Sequence, residues 1–65
     1  MLIVSKNKKC VVNLDNIELL YIEEDRILAT SGENIVLLGK YDNATEVLHD
    51  MVAQLHSHNV YEMPE

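Results

Sequence analysis

A single cysteine, Cys10, leaves this chain no intrachain disulfide, which excludes the cystine frameworks of many small secreted domains. Long apolar runs are missing too. None exceeds four residues, the length of Leu19-Leu20-Tyr21-Ile22 and Ile35-Val36-Leu37-Leu38, far short of the roughly 20 that cross a bilayer. The start carries no charged-then-apolar leader pattern, so the expected address is the cytoplasm. Glycine occurs only at Gly32 and Gly39, which leaves no phosphate-cradling loop motif. Basic residues are scarce, five against eleven acids, for a net charge of -6. Such a chain is repelled by phosphate backbones, which disfavours sequence-independent nucleic-acid binding.

What remains is the composition of an ordinary folded domain, 48% apolar and 25% charged over 65 residues. A core of this size supplies only about 3–5 kcal/mol unless a staple or a partner copy adds to it. The charge is unevenly placed. The first ten residues carry +3 from Lys6, Lys8 and Lys9, and the rest carry -9. The lysine cluster reads as a solvated turn. The acids are either a solubilising surface or a docking surface for a basic partner, where complementary fields speed and orient encounter.

The order of elements follows from periodicity. Leu2-Ile3-Val4 and Lys9–Asn13 read as a first hairpin about the polar turn at Ser5–Lys8. Asn13-Leu14-Asp15-Asn16 is rich in side chains that bond their own backbone, and reads as a turn. Ile17–Glu23, Arg26–Thr30 and Asn34–Leu38 read as three more strands, joined at Glu24-Asp25 and Ser31-Gly32-Glu33. From Asn43 the period becomes helical, with Ala44, Val47, Leu48, Met51, Val52 and Leu55 on one face. Asn43 and Glu46 have the spacing of a capping box, and Asn59 is a candidate left-handed terminator. The expected fold is therefore α+β: an antiparallel β-meander of about five short strands, open or curled into a partial barrel, then one amphipathic helix. Residues 1–59 form the domain. Residues 60–65, with Tyr61 and Met63 alternating with Glu62, are a frayed tail or a strand added to a sheet edge.

The strands are greasy on both sides. Leu19 and Tyr21 oppose Leu20 and Ile22, Ile27 and Ala29 oppose Leu28 and Thr30, and Ile35 and Leu37 oppose Val36 and Leu38. One helix covers one face. The other face, expected to hold Leu20, Ile22, Leu28, Val36 and Leu38 or their opposites, needs a second copy or a curled sheet to hide it. A homodimer is the expected result.

Catalytic constellations are not apparent. His49 and His56 lie two helical turns apart, roughly 10 Å along the axis, too far for one metal. Cys10 has no base beside it in sequence and reads as a small core residue. Expected roles are therefore binding roles, with no cofactor, no metal and no enzymatic activity. Glu23, Glu24, Asp25 and Glu33 are the candidate surface for a basic partner protein. An alternative is a small-ligand, nucleotide-like site at a dimer seam lined by Tyr21, Tyr41 and His49.

Several segments resemble a set of small proteins encoded by phages, prophages and mobile elements of Gram-positive bacteria. They are Met1–Ser5, Val12–Ile17, Tyr21-Ile22, Leu38–Tyr41, Glu46–Leu48 and the closing Tyr61–Glu65. The resemblance implies an accessory protein that engages a host or phage protein, and no catalytic residue carries over. The strand-rich start, the Leu-Asp-Asn-Ile turn and the closing helix also look like the small flagellar family related to swarming motility.

Overall fold

The computed structural model describes all 65 residues. Two three-stranded sheets and one helix enclose a single core, an α+β arrangement. The strands are β1 (Leu2–Val4), β2 (Val11–Asn13), β3 (Leu19–Glu23), β4 (Arg26–Ser31), β5 (Asn34–Lys40) and β6 (Val60–Glu62), and the helix is α1 (Ala44–Ala53). The first sheet has the order β2-β1-β6 and the second β3-β4-β5. This corrects the expected five-strand meander. There are six strands, they divide between two sheets, and neither sheet closes into a barrel.

The break between the sheets has a local cause. Asn13 accepts the Asp15 amide on its Oδ1 at 3.0 Å, turning Leu14–Asn16 into a single 3-10 turn that ends the first hairpin. The chain then starts a new sheet at Leu19. Of the two readings for the closing residues, the strand is the one formed. β6 pairs in parallel with β1, and the Leu2 amide donates to the Asn59 carbonyl at 2.8 Å. Ile3 sits between Val12 and Tyr61 across this sheet, and that row faces inward.

α1 is shorter than its apolar period predicts. It stops at Ala53, and residues 54–57 continue as tighter turns. Asn43 precedes it but makes no side-chain cap bond, and Asn59 is not left-handed, so neither expected cap is used. Ala44, Val47 and Met51 of α1 pack with Ile27, Ala29 and Leu38 of the second sheet and with Ile3, Tyr41, Tyr61 and Met63. The β1–β2 loop ties the sheets together, because the Lys6 amide donates to the Leu38 carbonyl at 2.7 Å.

Candidate functional site

The hairpin between β3 and β4 has the minimum connection, Glu24-Asp25, because Glu23 and Arg26 pair directly. This places Glu23, Glu24 and Asp25 together at one tip. Each carboxylate already has a cation of the same chain. Arg26 lies 3.9 Å from Glu23 and 4.0 Å from Glu24, and Lys40 lies 3.7 Å from Asp25. These are loose, exposed pairs, each worth well under about 1 kcal/mol. Glu33 is elsewhere. It occupies the β4–β5 turn, the length of β4 away, which at about 3.4 Å per residue is roughly 17 Å. The four acids therefore do not form one patch.

Two other carboxylates do join the tip. Tyr41 donates its amide to the Asp25 carbonyl at 2.8 Å, which brings the start of α1 beside the hairpin. A cleft of about 340 Å³ results, lined by Glu24, Asp25, Asp42 and Glu46 with Asn43 and Thr45. Sequence reasoning missed Asp42 and Glu46. The available signal was that both flank a helix N-terminus, where acids are favoured. No set of three or more His, Cys, Asp or Glu side chains is arranged to hold a metal ion.

The second feature is the outer face of the β3-β4-β5 sheet. Register places three side-chain rows across it: Leu19–Thr30–Ile35, Tyr21–Leu28–Leu37, and Glu23–Arg26–Lys40. The first two rows are uncharged. In them Leu19 is 55%, Ile35 64% and Leu37 49% exposed. The residues expected on this open face lie mostly on the other side. Leu38 is buried, and Leu20, Ile22 and Val36 pack against the core. Of that set only Leu28 is on the outer face, sheltered among its neighbours. The apolar surplus is real, but it belongs to the opposite set of residues.

The remaining candidates do not assemble within the protomer. Tyr21 is on the outer sheet face, Tyr41 is in the core with its hydroxyl donating to the Pro64 carbonyl, and His49 is exposed on α1. Of the lysines, Lys6 donates Nζ to the Lys40 carbonyl at 2.9 Å and lies 4.5 Å from the Tyr41 ring centre. Lys8 lies 3.8 Å from Glu62. Cys10 is exposed, contrary to its expected place in the core, and its amide donates to Ser5 Oγ at 3.1 Å. Behind α1, Tyr61 donates its hydroxyl to Asp50 Oδ2 at 2.9 Å. Burial first, then that bonded carboxylate, push the phenol up to about 12. Comparisons with protein-family models, with curated proteins and with solved structures return no match for this chain.

Proposed function

We propose that this protein is a non-catalytic binding module that works as a homodimer, paired through the outer face of the β3-β4-β5 sheet. The supporting observation is the pair of adjacent uncharged rows, Leu19–Thr30–Ile35 and Tyr21–Leu28–Leu37, in which Leu19, Ile35 and Leu37 are exposed around the sheltered Leu28. Three strands at about 4.8 Å and three rows at about 6.8 Å give a footprint of roughly 290 Å² per copy. A standard interface buries about 800 Å² per partner, so this pairing is weak and concentration-dependent. A sheet face packed on its own copy is isologous and closes at two, so it forms no filament. Sedimentation velocity across micromolar concentrations tests it. A rise from 7.4 kDa toward twice that mass is expected, and Leu37→Lys should hold the chain monomeric without unfolding it. A wild-type chain of constant mass throughout overturns the reading.

The acidic cleft supports a second reading, in which the module engages a basic segment of a host or phage protein. Four carboxylates around about 340 Å³ would meet lysine or arginine side chains. The resemblance to small phage-encoded proteins suggests the setting, a cytoplasmic accessory role. Titration with a lysine-rich peptide, repeated on the Asp42→Lys, Glu46→Lys variant, tests this. Equal affinity for both chains counts against the cleft.

A further inference from the structure

We infer that the two copies are related by a twofold axis running parallel to β4, midway between the two outer sheet faces, so that Glu23 of each copy meets Lys40 of the other. The inference rests on the pairing proposed above and specifies its geometry.

A face-to-face dimer has its axis in the plane of contact, and packed sheets keep their strands roughly aligned. Two axis directions satisfy both conditions. An axis perpendicular to the strands that keeps all three rows in contact passes through the middle row and reverses the order of the rows. It would set Glu23, Arg26 and Lys40 of one copy on Leu19, Thr30 and Ile35 of the other. Three charged groups would then leave water for an apolar surface, at a cost no neighbouring polar group repays. An axis along the strands keeps every row on itself and exchanges its ends. Leu19 then lies over Ile35, Tyr21 over Leu37 and Glu23 over Lys40, while Thr30, Leu28 and Arg26 lie over their own copies near the axis.

The charged row is built for that exchange. It is anionic at the β3 edge and cationic at the β5 edge. Its own-chain pairs sit near the distance limit, Glu23 at 3.9 Å from Arg26 and Lys40 at 3.7 Å from Asp25. Both side chains are mostly in solvent, 59% and 70% exposed, so each can reach a second partner without breaking a buried contact. The Arg26 groups, brought together near the axis, each keep Glu23 and Glu24 beside them. This face carries one acid against two bases, so a basic protein is a poor occupant, and what suits a second copy is not the net charge but the placement of Glu23 and Lys40 at opposite edges of the row.

Two single variants test the axis. Glu23→Lys alone and Lys40→Glu alone each set like charges against one another and should raise the dimer dissociation constant several-fold at about 0.15 M salt, where long-range repulsion is screened. Mixed in equal amounts, with one chain isotopically labelled, they should form heterodimers well above the statistical half in native mass spectrometry. A matched swap off this face, Glu33→Lys with Lys9→Glu, should mix statistically. Wild-type dimers with statistical mixing of the Glu23 and Lys40 variants, or an equal preference in the off-face swap, overturn the axis while leaving the pairing intact. A wild-type chain that never dimerises removes the pairing and the axis together.

Discussion

Gly39 has no room to be larger, because the Tyr41 ring lies against its backbone. A Cβ there would sit 2.5 Å from Tyr41 Cε2 and 2.9 Å from the hydroxyl oxygen. The ring cannot swing aside freely, since it is buried and its hydroxyl is bonded to the Pro64 carbonyl. Gly39→Ala should therefore cost about 1–3 kcal/mol, read as a lower urea midpoint with unchanged slope. Glu24 presents the opposite case. Its φ of 59° is left-handed, in a hairpin turn that favours glycine. Glu24→Gly should raise stability by a few tenths of a kcal/mol to about 1, read as a higher urea midpoint, the relief of strain exceeding the added freedom of the unfolded chain. Tyr61 gives stability a pH signature. Its phenol ionises at 10.0 when free and at about 12 when folded. Above pH 10 the unfolded chain releases a proton that the folded chain still holds. The contribution is therefore complete below pH 10 and lost as pH climbs through about 12. Tyr61→Phe should lower stability at neutral pH and flatten that alkaline fall. Part of the fall should survive, because burial also raises the Tyr41 phenol. Urea midpoints collected from neutral to alkaline pH decide this.

At the scale of elements, local signals were legible and long-range ones were not. The short apolar, β-branched runs, the Asx turn at Asn13 and the change to helical period at Asn43 each depend on neighbours in sequence, and each coincides with an element boundary of the structure. The parallel pairing of β6 with β1 depends on residues from opposite ends of the chain meeting, and no local pattern encodes that. The candidate site divides the same way. Glu23, Glu24 and Asp25 share a tip because they are consecutive, whereas Asp42 and Glu46 reach it only through tertiary packing. One misreading had a usable signal. A two-residue connection at Glu24-Asp25 sets Ile22 opposite Ile27, so Ile22 shares the inward face with Ile27, not the outward face with Leu28. The irregular register between Ile27 and Leu28, where Leu38 has no cross-strand partner, had no such signal. β6 also has an energetic consequence. Tyr61 and Met63 fill the core from it and from the residue after it. Replacing Met63 by Ala should cost about 2–4 kcal/mol, comparable to the whole stability of so small a core. A chain ending at Asn59 should therefore lose its cooperative thermal transition in circular dichroism. If it melts as the full chain does, the last six residues are not structural.

For the whole molecule, salt separates the two binding readings. Each copy carries -6, and stacked sheets across the 20 Å short dimension put the copies' centres about 20 Å apart. Treated as point charges in water, the copies repel by about 4 kcal/mol at 0.01 M salt and by under about 1 kcal/mol at 0.15 M. Screening also weakens the two Glu23–Lys40 contacts, but exposed pairs are worth no more than about 1 kcal/mol each. Repulsion is the larger effect, so self-pairing should tighten several-fold as salt rises over that range. Capture of a basic segment by the acidic cleft has the opposite sign, because attraction between unlike charges is what salt screens. Sedimentation of the chain alone and peptide titration at the same two salt concentrations should therefore move in opposite directions. A dimer that dissociates on adding salt would mean that charge, not the apolar rows through Leu19, Ile35 and Leu37, holds the copies together.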